Sequence, residues 1–413
     1  MSRRLETWQL RASFAAALSR MYAAEVPAYT TLVEVSAEVN RDYAAHSPDA
    51  ERLGSLARVT AERHGAIRVG SARELAQVAD LFAAFGMYPV GFYDLREAAS
   101  PVPVVSTAFR PVDSEELARN PFRVFTSMLA TADARFFAPA LRDRVERFVA
   151  ERQLFDPALI AEARRIAADG GAAPERAERF VAAAASAFAL SREPIDRGWY
   201  EELTRVSAVA ADIAGVTSTH INHLTPRVLD IDDLYRRMTE RGVMMIDAIQ
   251  GPPRWPGPEV LLRQTSFRAL AEPRRFRDGD GAVSEGTLRV RFGEVEARGV
   301  ALTPKGRERY DAAMAEMPAG AASAEVWAKH FPATDEEMAS AALAYYRGGD
   351  CTKPVVYEDF LPASAAGIFR SNLDTDTHAA AVRDDSHYSL DWMAGQIHHH
   401  IHNPYELYEK AAS

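Results

Sequence analysis

Hydrophobic spacing changes period several times along the chain, and each change marks a segment. Over residues 1 to 58, Leu10, Phe14, Leu18 and Met21 recur on one face of a 3.6-residue spiral, and EVPAYTTLVEVSAEVNRDY keeps that period after Pro27. This predicts an N-terminal helical segment. HGAIRVG at 64 to 70 is short, β-branched and closed by glycine, which predicts a strand, and SARELAQVADLFAAFGM after it predicts a helix. GFYDLRE, PVVSTAFRPV and NPFRVFTSML read as three more strands bounded by Pro, Asp and Ser, so residues 59–138 form a β-α-β-β-β unit. Helical spacing returns over 139–214 in VERFVAERQLF, ALIAEARRIAA and AERFVAAAASAFAL, with GGAAP as a break. That segment is an all-helical insertion.

The strand-helix order then recurs over 215–300. THINHLTPRVLDID at 219 to 232 is followed by DLYRRMTERGV and by strand-like runs at 243 to 249, 260 to 267 and 287 to 300. With the histidines superposed, both units read His, Arg four residues later, Val, then a helix ending near glycine: His64, Arg68 and Val69 against His223, Arg227 and Val228. Duplicated units of this kind enclose a cavity between two halves. Residues 301–413 are mostly helical, with VVYEDFLPASAAGIF as an extended exception. The predicted class is α+β, a two-module central sheet with a helical insertion and helical termini.

Composition narrows the function. The 413 residues, 47% hydrophobic and 26% charged, suit a globular chain, and no run approaches the ~20 apolar residues of a membrane span. Glu6, Arg11 and Arg20 interrupt the N-terminal apolar stretch, so it reads as an amphipathic helix rather than an export signal. Cys351 is the only cysteine, which excludes internal disulfides and cysteine-held clusters and fits a reducing, cytoplasmic setting. A net charge of -10 argues against a nucleic-acid-binding face and leaves a small-molecule partner. Arg274, Arg275 and Arg277 flank a DGDG turn and read as a solvated hairpin end.

Strand parity locates the chemistry. His64, Ala66 and Arg68 share one face, and His223, Thr225 and Arg227 share the matching face of the second unit, so pseudosymmetry brings two imidazoles together. In VRFGEVEARG, Phe292, Glu294, Glu296 and Arg298 share a face, and either glutamate completes a 2-His-1-carboxylate set that leaves positions open on Fe(II). A strand histidine is more often a hydrogen-bonded core residue than a ligand, so the pairing carries the argument. His220, three residues before His223, is expected on the opposite strand face. The tract His398, His399, His400 and His402 could bind a transition metal but reads as adventitious or structural, because a catalytic site draws its ligands from separated, rigid elements. No GxSxG elbow or Walker loop is present.

INHLTPRVLDID resembles the opening strand of vicinal oxygen chelate modules, and RFGEVEARG resembles the glutamate-bearing strand of their 4-hydroxyphenylpyruvate dioxygenase branch. HGAIRVG, THINHLTPR, LLRQTSF, RFGEVEARGVALTPKGR and YEDFLPASAAGIF together resemble the bacterial 2-oxoadipate dioxygenase/decarboxylase family, also called hydroxyglutarate synthase, over about 60 to 370. The resemblance implies a pseudo-duplicated half-barrel of vicinal-oxygen-chelate type. It implies Fe(II) held by His64, His223 and Glu294, with Glu294 preferred over Glu296. It further implies O2 and a 2-oxo dicarboxylic acid as reactants, with 2-oxoadipate giving 2-hydroxyglutarate and CO2 in lysine breakdown. Arg68 is implied to bind and hold the substrate, with Ala363 and Ser364 as backbone contacts; Ala363 stands where valine is commoner. Two rivals remain open: an oxygen-independent metal-dependent isomerase or lyase on the same fold, and a small-ligand binding protein.

Overall fold

The computed structural model describes residues 4–98, 101–289, 291–317, 323–361 and 388–413. The strand Arg63–Val69 stands at the middle of the molecule. In space the sheet order is Tyr88–Asp94, Val104–Arg110, Arg123–Leu129, Arg63–Val69 and His223–Pro226. The Arg63–Val69 strand runs parallel to Arg123–Leu129 and antiparallel to His223–Pro226, with Ala66 opposite His223 and His64 opposite Thr225. The sheet is then extended by a parallel bridge between Arg227 and Glu296, beside a hydrogen bond from the Val228 amide to the Glu296 carbonyl of 2.8 Å. That bridge brings in Gly293–Arg298, which pairs antiparallel with Leu262–Phe267.

Each module thus places its first strand at the joint and its last strand parallel beside it, with helix Ala72–Ala83 or Ile231–Glu240 following the first strand. Ser71 and Asp230 cap those helices by accepting from backbone amides of the first turn, the usual way to satisfy orphaned donors. Gly65 lets the two modules meet closely, since a Cβ there would stand 2.8 Å from Ile221 Cδ1. An alanine at 65 would press on the Ile221 and Leu224 side chains at this joint.

Alternation along the strands sorts the sheet into two faces. Ile67, Val69, Val105, Phe109, Val124, Met128, Leu224, Val295 and Ala297 join the main apolar core, which also holds Leu10, Phe14, Leu18 and Tyr22 of helix Thr7–Glu25. Met21 is only partly buried there, so the helix face is centred on Tyr22. Burying each large side chain contributes about 1.5–3 kcal/mol, enough to fix which face points inward. The opposite face carries His64, Arg123, His223, Thr225, Arg227, Glu294, Glu296 and Arg298, all buried.

Helices Pro139–Glu151, Pro157–Asp169, Pro174–Ser186, Arg197–Val206 and Ala208–Ala214 follow the first module, and the segment is tied back by a short pairing of Leu5–Glu6 with Gly171–Ala172. The DGDG turn joins two antiparallel strands, Glu272–Arg277 and Val283–Leu288, as the hairpin reading expected. One strand expectation is corrected. Residues 243–249 form no ladder; their neighbourhood makes single bridges from Met245 to Phe267 and from Gln250 to Gln264. Met244 is 71% exposed beside buried Met245 and Ile246, and the segment meets the Leu262–Phe267 strand through separated hydrogen bonds, from the Ile246 amide to Ser266 and from the Gln250 amide to Gln264, rather than in a continuous register.

Candidate metal centre

His64, His223 and Glu294 each offer a ligand atom, and those atoms lie within 4.8 Å of one another in a fully buried cluster. The register explains the convergence. His64 and His223 sit diagonally across the antiparallel joint, and their rings meet edge to face at 5.4 Å. The Arg227–Glu296 bridge sets Thr225 beside Glu294 and His223 beside Phe292, whose rings stack at 5.0 Å. Thr225 therefore lies at the middle of the three. It hydrogen-bonds the Glu294 carboxylate, and its Oγ1 is 2.9 Å from His223 Nδ1. A hydroxyl that donates to the carboxylate accepts from the imidazole, so this bridge calls for a His223 proton on Nδ1.

The donor set fits a divalent metal ion. Glu294 Oε2 accepts no hydrogen bond among the described residues and lies 3.3 Å from His223 Nδ1. Burial, and then the charge of Glu296, push the Glu294 carboxyl well above the usual carboxylate range against the pull of Arg298, and no cationic side chain among the described residues forms an ion pair with it apart from the His223 contact. Burial also pushes His64 down against the pull of Glu296, which keeps a lone pair available for coordination.

Glu296, the alternative ligand, is otherwise engaged. Its Oε1 receives Arg298 Nε at 2.5 Å and stands 3.1 Å from His64 Nδ1. Burial favours its neutral acid, but Arg298, His64 and Arg123 overcome that and hold it down at about 2. Behind it lies a buried ionic lattice that parity alone did not reveal. Glu62 meets Arg123 at 2.8 Å, Arg227 at 3.0 Å and Arg298 at 3.4 Å, and Glu358 meets Arg123 and Arg58. Glu62 closes the helix Leu56–Ala61 just before the His64 strand begins, so strand parity does not reach it.

Pseudosymmetry also explains why there are three ligands. The partner of Thr225 in the second module is Glu294, and the matching partner of Ala66 in the first is Phe125. Phe125 packs 5.3 Å from Phe360, which in turn meets the His64 ring edge-on at 4.9 Å. An apolar wall thus stands where the second module has its carboxylate, and among the described residues no further ligand joins the cluster.

Arg68 shares the inward face with His64 and lies four residues, about 13 Å, along the strand. Its guanidinium pairs with Asp212, which also meets His220 Nε2 at 3.2 Å and Asn222 Nδ2 at 2.9 Å. His220 departs from the parity expectation, because residues 219–222 precede the strand and turn the ring toward Asp212. Ala363 and Ser364 lie outside the described residues. His398 takes a left-handed backbone at the end of helix Leu390–Ile397, and the His402 main chain hydrogen-bonds the Tyr88–Asp94 strand edge.

Residues 14–372 match the profile of the 2-oxoadipate dioxygenase/decarboxylase family. A Mycobacterium tuberculosis protein of that name is 72% identical over 411 residues, covering 100% of this chain and 98% of the relative. The crystal structure of hydroxyglutarate synthase from Pseudomonas putida in complex with 2-oxoadipate superposes with a TM-score of 0.84 at 35% identity, covering 99% of this chain and 96% of that one. A glyoxalase superfamily protein from Ralstonia eutropha, at 21% identity and a TM-score of 0.54, shares the fold. The expected α+β half-barrel is therefore the observed fold, and no helix among the described residues is long and apolar enough to cross a membrane. With its two-module sheet, its buried His-His-Glu cluster and relatives matched end to end, the chain belongs to the 2-oxoadipate dioxygenase/decarboxylase family.

Proposed function

We propose that this chain is a cytoplasmic Fe(II) dioxygenase/decarboxylase that converts 2-oxoadipate and O2 to 2-hydroxyglutarate and CO2 in lysine breakdown. The observation that supports it best is the three-ligand cluster walled on one side by Phe125 and Phe360. Fe(II) held by His64, His223 and Glu294 would take the carboxylate and keto oxygens of a 2-oxo acid and supply the electrons that activate O2. The reaction balances with both oxygen atoms kept in the products: C1 leaves as CO2, C2 becomes the new carboxylate, and C3 gains the hydroxyl.

The chain's own side chains position this chemistry. Arg68 is the residue we assign to the far carboxylate, as a two-toothed partner held in place by Asp212. Asp212 is itself held ionised against burial by His220 and Arg68, so the guanidinium has a fixed anchor. Phe125 and Phe360 keep water from the reacting carbons. Backbone contacts from Ala363 and Ser364 complete the proposed substrate set.

Two measurements test the reading. Protein loaded anaerobically with Fe(II) is expected to consume O2 when 2-oxoadipate is added and to release one CO2 per O2. Absence of substrate-stimulated uptake would refute it, and turnover without O2 would favour the isomerase or lyase. Arg68→Met is expected to raise KM for 2-oxoadipate by roughly 30–150-fold, about 2–3 kcal/mol for a lost charge-assisted pair, while leaving 2-oxo monocarboxylic acids little affected. An equal loss for both substrate types would remove Arg68 from the far end of the substrate.

A further inference from the structure

Glu296 and His64 face each other across the joint between the modules, each nearly inaccessible to solvent, with Oε1 and Nδ1 3.1 Å apart. We propose that Glu296 is a positioning residue: it accepts the Nδ1–H of His64, fixes that ring's tautomer, and turns Nε2 toward the metal. The proposal rests on the metal-centre reading and goes beyond it by assigning the second strand glutamate a task of its own. A histidine ligand whose other nitrogen donates to a carboxylate is oriented and made a better donor.

Three observations carry the assignment. Glu296 is two residues from Glu294 on one strand, so the same backbone that supplies the ligand also supplies the partner of the opposing histidine. Its carboxylate is immobilised from behind by Arg298 Nε at 2.5 Å and by Arg123 Nη1 at 3.7 Å, and both of those arginines are in turn bound to Glu62. The two imidazoles are held by different chemistry, His223 by the Thr225 hydroxyl and His64 by a carboxylate, so they are not equivalent donors. The Nδ1 and Oε1 atoms stand at hydrogen-bond distance without a hydrogen bond formed in this structure.

A residue that only balances Arg298 and Arg123 would stabilise the fold and leave metal affinity alone, and this separates the two roles. Co(II) titration of the metal-free protein, followed by the visible absorption of the bound ion, is expected to give a Kd about 10–100-fold weaker for Glu296→Gln. Glu296→Asp keeps a charge for Arg298 but draws the oxygen back by one methylene, and is expected to lose affinity comparably with a smaller fall in Tm. An unchanged Kd in folded Glu296→Asp overturns the proposal alone. Failure of the unsubstituted protein to bind Co(II) overturns the metal-centre reading and this proposal with it. A second measurement needs no folded Glu296 variant: histidine-selective 15N spectra of the metal-free protein, with His64 assigned through His64→Gln, are expected to show the Nδ1–H tautomer. The Nε2–H tautomer overturns the proposal.

Discussion

Glu294→Gln is expected to abolish metal-induced stabilisation and to lower 2-oxoadipate turnover by roughly 10^3-fold, while the metal-free protein melts higher than the unsubstituted one. The two effects have one cause. Glu294 is 1% exposed, no guanidinium or ammonium stands within ion-pair distance of it among the described residues, and its Oε2 accepts no hydrogen bond. An enclosed carboxylate held by one hydroxyl and no guanidinium or ammonium is costly, and an amide of the same shape costs much less. Glutamine therefore relieves the metal-free fold and removes the charge that recruits the cation. A ligand that binds only the folded state adds about 2.7 kcal/mol at a hundredfold excess over its Kd, so that increment should vanish. Loss of metal-ion catalysis worth about 4 kcal/mol gives the stated rate effect. Calorimetry with and without Fe(II) under anaerobic conditions reads the first effect and oxygen uptake the second. A variant that keeps its metal-dependent rise in Tm would show that Glu294 is not a ligand.

Glu62→Gln is expected to destabilise the protein by about 3–5 kcal/mol, the scale for breaking a buried ion pair. Arg123, Arg227 and Arg298 all converge on this one carboxylate, so its neutralisation leaves excess positive charge sealed beneath the metal centre. That loss is a large part of the ~5–15 kcal/mol that holds a typical fold. The exposed pair of Arg164 with Asp80 is the control, because Asp80→Asn at the surface should cost at most about 1 kcal/mol. Urea unfolding curves compare the two. A shift below about 1 kcal/mol for Glu62→Gln would mean that the arginine cluster finds its balance elsewhere, for example through Glu358.

Much of this molecule can be read from residue order. The period of HGAIRVG and of the helix after it, the recurrence of His-x3-Arg-Val in the second half, and the parity of VRFGEVEARG are local properties, and local sterics and side-chain alternation express them directly. The segment at 243–249 misled because apolar content alone does not make a ladder: its contacts with the neighbouring strand are isolated bridges. His220 misled because parity holds only inside a strand, and the strand begins at His223.

What the chain order determined by itself is the set of inward-facing side chains: His64 and Arg68 on one strand, His223 and Thr225 on another, Glu294 and Glu296 on a third. What only the tertiary structure decided is which of them meet. Glu294 and Glu296 are indistinguishable by face and spacing. They differ because Arg298 from the same strand and Arg123 and His64 from two other strands meet Glu296, while Glu294 is left among two imidazoles, a hydroxyl and an apolar wall. A carboxylate's role follows from its countercharges, and here one of them, Arg298, is a strand neighbour while Arg123 and His64 come from residues distant in the chain.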